Sequence, residues 1–463
     1  MAYYGYITQL KNVRPHPNAD RMKLADCFGN TVCVGLDAVE NEIIIYFPCD
    51  GQLSAEYCEY NNLVRKKDDA GNNIGGYMDP DKRNVKAIKL RGEKSDGLVM
   101  PLSSLLYTNV NMDDLNVGDR IDVVNGHEIC TKYIPRRNPS RAGSSTSGNK
   151  TRKKKILIAP LFSEHADTEQ LAYNLGAFKP DDEIEITLKM HGTSQRTAYL
   201  PVFKGYKRTF WDWLKRKEGT PIYDWGYVSG TRRTVLENYD GGYYGSNEFR
   251  EQHSKFFEGK LWKGEEVYYE IVGFTHTGAP IMASCNNKKL NDKDFIKQYG
   301  KETVFSYGCH PFGFDMNVNY FEGNIAECIV KEYPQSDIYV YRMTMTNEDG
   351  DVVEYTPDFM RYRCEQMGVK TVPVFWHGIL TDDILDKNVG ECVKDFAEEY
   401  YDGPDPIGKT HVREGVVVRI INRPKFCAYK HKNFEFKVLE NIIKEVAEAP
   451  DMEESQEVES NDN

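Results

Sequence analysis

The chain has 463 residues, 40% hydrophobic and 12% aromatic, a globular composition with room for two or three domains and at least one large core. No apolar run reaches the roughly 18 residues that span a bilayer, and residues 1–11 lack a basic-then-apolar leader, so a cytoplasmic monomer with no membrane partner is expected. The formal net charge of -12 argues against nucleic-acid binding only as a sum, because eight acids and no Lys or Arg follow Lys444.

Eleven cysteines are scattered from Cys27 to Cys427 with no C-x-x-C pair, which argues against a zinc knuckle or a disulfide framework. Residues 1–134 read as mainly β. Short apolar runs such as 31–36 and 42–47 are separated by Gly, Asn and Asp turns, which suits a small barrel. Two stretches stand out there, RPHPNADRMKLADC at 14–27 and LRGEKSDGLVMPL at 90–102.

Residues 135–155 change character. The run RRNPSRAGSSTSGNKTRKKK carries eight basic residues around a Ser/Gly-rich middle that has nothing to bury, so it reads as a flexible linker able to follow a phosphate backbone. A second domain is expected over 156–444, followed by an acidic disordered tail at 445–463. Asp167 and Gln170 form a capping pair for a helix expected to end at Gly176.

The stretch EIEITLKMHGTSQR at 183–196 then predicts a half-buried strand. Ile184, Ile186 and Leu188 alternate with Glu183, Glu185 and Thr187 and deliver Lys189 to the strand's end. Gly192, lacking a side chain, would let the following turn come close to a phosphate or nucleobase. Further strands, each carrying a polar residue, are expected at 227–236, 267–274, 338–345 and 414–420, followed by the Lys-rich stretch 428–437, the pattern of a ligand cleft floored by β-sheet.

These motifs carry more in their order than singly. Lys189 in K-x-H-G, an Arg, Y-x-E-I-V-G around Glu270, an aromatic pair before Arg342, E-G-V-V-V from Glu414, and K-x-K at Lys430 and Lys432 follow one another along 156–444. The series resembles motifs I, Ia, III, IIIa, IV and V of the covalent nucleotidyltransferases, which include ATP-dependent RNA and DNA ligases and mRNA capping enzymes. The 14–27 stretch resembles the opening of OB-type RNA-binding domains, including tRNA-binding modules. The 90–102 stretch resembles a later strand pair in OB-like domains of some RNA ligases. The likeness is to RNA ligases whose OB-like domain precedes the catalytic one, and it implies an α+β fold: an N-terminal OB-like β-barrel, then a nucleotidyltransferase domain on antiparallel sheets.

The resemblance implies roles as well. Lys189 attacks the α-phosphate of ATP to give lysyl-AMP, although a free lysine with pKa about 10.4 is protonated at neutral pH. Glu270 takes the ribose hydroxyls, Tyr341 stacks on adenine, Lys430 and Lys432 hold the phosphates, and Glu414 holds Mg²⁺. Arg232, and Arg196 beside it in role, would hold the 5′-phosphate of an RNA end that is joined to a 3′-OH. Lys425 or Lys437 remains open as a partner in motif V, and His191 stands where many of these enzymes have Asp. The alternatives are a tRNA-directed RNA-binding protein with an inactive catalytic domain, or a DNA ligase; DNA ligases and capping enzymes carry an OB domain after motif V, whereas 26 residues follow Lys437 here.

Overall fold

Alternating apolar residues broken by turn formers favour short antiparallel strands, and a computed structural model of the chain is built mostly from them. It describes residues 3–66, 76–133, 158–162, 165, 168–210, 214, 219–232, 235–236, 239, 247–281, 306–310, 334–381, 388–409 and 411–438. The basic linker, the acidic tail and Asp167 lie outside these residues. The chain divides into two units, Met1–Pro135 with Phe434–Ala447, and Arg136–Asn433 with Glu448–Asn463.

The first unit runs β1 (Gly5–Gln9), β2 (Lys11–Pro15), β3 (Lys23–Cys27), β4 (Asn30–Val34), β5 (Ile43–Phe47), β6 (Gly51–Leu53), α1 (Ala55–Tyr60), β7 (Ala87–Leu90), β8 (Glu93–Asp96), β9 (Leu98–Pro101), β10 (Arg120–Ile121), β11 (Val123–Val124), β12 (His127–Glu128) and β13 (Cys130–Lys132). The order β10-β1-β5-β9 makes one sheet, β2-β3-β4 a second, and β11-β12, β13-β6 and β7-β8 are pairs, all antiparallel. The expected barrel is corrected here: among the described residues no closed barrel forms. Asn12 takes a left-handed backbone (φ 51°) and the β2–β3 register slips between Lys11 and Arg14, so no ladder joins the three-stranded sheet to the four-stranded one.

The two distinctive stretches of this unit meet. Buried His16 reaches the Leu90 carbonyl at 3.1 Å, and Asn18 donates to the Arg91 carbonyl at 3.0 Å. Ile7, Ile45, Phe47, Leu53, Tyr57 and Leu105 form the core. Lys437 also belongs to this unit, ion-paired with Asp96, and the strand of the Lys-rich stretch covers only Cys427–Lys432. There Asn433 turns away, its side chain donating to Asp402 Oδ1 at 2.8 Å.

The second unit adds β14 (Glu169–Gln170), β15 (Glu183–Leu188), β16 (Thr193–Lys207), β17 (Thr220–Gly230), α2 (Glu248–Phe256), β18 (Glu265–Gly273), β19 (Ser336–Thr346), β20 (Val352–Glu354), α3 (Pro357–Met367), β21 (Lys370–Thr371), β22 (Val374–Ile379), α4 (Val389–Tyr401), β23 (Gly415–Ile420) and β24 (Cys427–Lys432). Two sheets result, β14-β24-β23-β15-β22 and β17-β16-β18-β19-β20, with β21 parallel to β19. The helix expected to end at Gly176 is absent. Gln170 is drawn into β14 by parallel pairing with Lys430, makes no side-chain cap, and gives way to two short 3-10 turns at Leu171–Tyr173 and Leu175–Ala177.

Strand β15 is more deeply placed than a half-buried strand. It lies between β23 and β22, so Glu185 is buried too and ion-paired with Arg361 at 2.6 Å. Ile184, Ile186, Val416 and Val418 pack with Val393 and Ala397 of α4. Leu188, Met190, Val272, Tyr307, Tyr339 and Val372, from both sheets, form one cluster that includes the two chain neighbours of Lys189.

His253 on α2 offers a test of this packing. Burial pushes its pKa down to about 4, against an opposing pull from Asp337, so the folded state binds fewer protons than the unfolded one below pH 6.5. The neutral imidazole therefore contributes fully above pH 6.5, and that stability is lost as pH falls towards 4, by up to about 3 kcal/mol. Urea titrations should show this acid loss in the wild type and a flatter limb in His253→Gln; equal slopes would contradict it.

Candidate active site

Lys189 follows the last ladder residue of β15, and its backbone N–H donates to the Gly415 carbonyl at 3.0 Å, which fixes the strand end against the start of β23. Gly415 has φ 145°, and a Cβ there would lie 2.1 Å from the His431 carbonyl, so only glycine fits between the two strands. That tight crossing sets Glu414 beside Lys189. Nζ of Lys189 lies 2.8 Å from Glu414 Oε1, and Nζ of Lys432 lies 3.2 Å from the same oxygen. His191 Nδ1 is 3.3 Å from Oε2.

Glu414 is 2% exposed. Burial by itself would raise its pKa, but the ammonium groups of Lys189 and Lys432, with His191, hold the carboxyl well below the usual range. One anion therefore organises two lysines and an imidazole from both ends of the unit's sequence. Lys430 lies two residues before Lys432 on the same face of β24, opposite Val417, while His431 points the other way to Glu398 at 3.1 Å.

Glu270 is buried on β18, opposite Ser194 of β16 and Tyr339 of β19. A Cβ on Gly192 would meet the Ile271 carbonyl at 2.3 Å and Glu270 Cγ at 2.9 Å. Gly192 is thus required by the neighbouring strand, and it brings Glu270 against the turn that follows Lys189. Tyr341 shares its hydroxyl with Ser194 Oγ at 3.0 Å and His165 Nε2 at 3.4 Å.

The two arginines differ. Arg196 is 3% exposed, its guanidinium held by Glu266 at 2.8 Å and the Thr231 carbonyl at 3.0 Å, over the ring of Phe162 at 3.8 Å. Arg232 is half-buried in the turn after β17, and its carbonyl accepts from the His165 N–H at 3.1 Å. Of the motif V alternatives, Lys437 is paired with Asp96 in the first unit.

Three contributors escaped the sequence reading. Arg250 of α2 is 1% exposed and grips the motif I turn through the Ser194 carbonyl at 3.1 Å and the Thr193 hydroxyl. The Tyr307 hydroxyl oxygen accepts from the His191 backbone N–H at 2.8 Å. His165 lies 2.8 Å from Arg342 NH1, and burial, then Arg342, Arg232 and Arg196, holds it well below its ordinary pKa. Each sits far in sequence from the motif it supports, so no local pattern announces it.

A scan against protein-family models finds no match, and neither does a search of curated proteins. Solved structures do match. A lysine-to-alanine variant of the RNA ligase from Naegleria gruberi with ATP and Mn is similar at 16% identity and a TM-score of 0.53, over 95% of this chain and 98% of that one. A lysine-to-methionine variant of the same ligase with AMP and Mn is similar at 14% identity and a TM-score of 0.52, over 94% and 98%. The chain has the fold of an RNA ligase.

Proposed function

We propose that the chain is an ATP-dependent RNA ligase that joins 3′-OH and 5′-phosphate ends through lysyl-AMP and an adenylylated RNA end. The observation that carries this reading is the convergence of Lys189, Lys432 and His191 on the buried Glu414 carboxylate, within a chain that has an RNA ligase fold.

In the first step Nζ of Lys189 bonds to the α-phosphorus of ATP while the bond to the pyrophosphate oxygen breaks. The resting ion pair with Glu414 favours the ammonium, so Lys189 is held in place but must shed its proton before attack. Glu414 suits Mg²⁺ in ligand type, a single carboxylate for a hard cation that takes its other ligands from phosphate and water; among the described residues no group of three or more His, Cys, Asp or Glu is assembled as a cage. When bound, Mg²⁺ supplies charge neutralisation at the phosphates. Lys430 and Lys432 bind the phosphates and the charge growing on pyrophosphate. Glu270 accepts hydrogen bonds from the ribose and Tyr341 stacks on the adenine.

AMP then passes to an RNA 5′-phosphate held by Arg232, with Arg196 fixed beside it by Glu266, and the 3′-OH attacks that phosphate and expels AMP. The first unit serves as an OB-like module that docks RNA; its short, twisted antiparallel strands support this reading. Incubation with ATP labelled at the α- or the γ-phosphate, with a divalent cation, tests the mechanism. The α-label should stay on the denatured chain, the γ-label should not, and pyrophosphate should strip it. A chain that takes up neither label is not a covalent nucleotidyltransferase.

A further inference from the structure

Strands β16 and β17 continue well past the sheet. The ladder to β18 ends at Ala198, whereas pairing between β16 and β17 continues to Lys207 and Thr220. Side chains alternate with a period of two, so Tyr199, Pro201 and Phe203 share one face of this ribbon with their partners Tyr227, Trp225 and Tyr223. Five of those six residues are aromatic, Pro201 being the exception. Tyr199 stacks on Tyr227 at 4.6 Å and 20°, Trp225 lies 5.7 Å from Tyr199, and Phe203 lies 6.1 Å from Tyr223. The opposite face, Leu200 and Val202, is the one that packs into the core with Phe162.

None of these rings is buried, although Tyr199 and Tyr227 abut the neighbouring core. A core face would be covered, and an apolar protein-docking face would not be edged with cations. Here Lys263 Nζ sits 5.1 Å over the Trp225 ring and Arg208 is exposed at the ribbon's end, whereas Lys204, beside Val202 over Gly226, and Lys207, opposite Thr220, lie on the other face. The carboxylate of Asp224 is on the other face and accepts the Trp225 N–H at 2.8 Å. Rings that accept bases of any sequence, edged by cations that follow phosphates, are what single-stranded nucleic acid requires.

We propose that this ribbon is a docking surface for single-stranded RNA, an inference that rests on the RNA ligase reading above and names where its substrate is held. Glu270 pairs with Ser194, which shares a face with Leu200, so the rings lie on the face turned away from Glu270. The ribbon therefore adds RNA affinity and takes no part in lysine adenylylation.

The test uses the full chain carrying Tyr223→Ser with Trp225→Ser, and separately Arg208→Glu with Lys263→Glu, which touches only exposed side chains and leaves folding intact. Anisotropy of a short labelled single-stranded oligoribonucleotide should show affinity lower by about tenfold or more in both, with duplex RNA little changed by the ring variant. Covalent uptake of α-labelled ATP should match the wild type. Unchanged single-strand affinity with normal label overturns the ribbon and leaves the ligase reading standing, whereas no label on the wild type overturns the ligase reading itself. An equal loss for duplex and single strand in the ring variant overturns stacking. A wild-type dimer that the ring variant dissociates, with RNA affinity unchanged, assigns the face to a second copy instead.

Discussion

Lys189→Ala takes up no label from α-labelled ATP, a loss of at least about 10³-fold, the scale expected when a covalent nucleophile is removed. Lys189→Arg fails equally, because a guanidinium keeps its charge at any accessible pH and cannot attack phosphorus. The arginine variant separates chemistry from charge, since it preserves a cation beside Glu414. Stability should fall little in either, by about 1 kcal/mol or less, because Lys432 still pairs with the buried carboxylate and His191 stays beside it. A labelled Lys189→Ala chain would move the nucleophile elsewhere, and a variant that lost label only by unfolding would show it in a thermal melt.

Glu414→Gln is the larger structural insult. The amide leaves two ammonium groups without the anion that gathered them, with Lys189 and Lys432 only 18% and 13% exposed. A destabilisation of about 3 kcal/mol is expected at pH 7, with loss of the α-label as well. Combining it with Lys189→Ala should restore part of that stability, since one of the stranded cations is then gone; additive losses in the cycle would show that the two groups do not interact. The pH dependence carries the same sign. A carboxyl depressed below its ordinary value of 4.5 stabilises the fold above that pH and loses its contribution as pH falls through the folded value. Urea midpoints measured from pH 7 downward should lose this acid limb in Glu414→Gln.

Sequence patterning succeeded where a local period or a tight backbone demand was at work. The alternation of Ile184, Ile186 and Leu188 located β15 and put Lys189 just beyond its end, and E-G marked the start of β23 because Gly415 alone fits under the His431 carbonyl. It failed where a partner distant in sequence outweighed the local signal. Gln170 was read as the start of a helix, but two residues of parallel pairing with β24 made it a strand. The demand of the Ile271 carbonyl on Gly192 likewise comes from a strand about eighty residues away, which no local pattern announces.

What the sequence determined by itself was the strands β15, β18, β19 and β23 and the chemical character of Lys189, Glu270, Glu414, Lys430 and Lys432, because strand periodicity and side-chain charge are properties of a short window. What only the tertiary structure decided was which charges meet. Glu414 gathers Lys189, Lys432 and His191, Arg196 is held by Glu266, Lys437 is held by Asp96, and Arg250 clamps the motif I turn from a helix with no motif of its own. Ion pairing acts across a few ångströms of space whatever the separation along the chain, so these partners are set by strand register and sheet order rather than by spacing in the sequence.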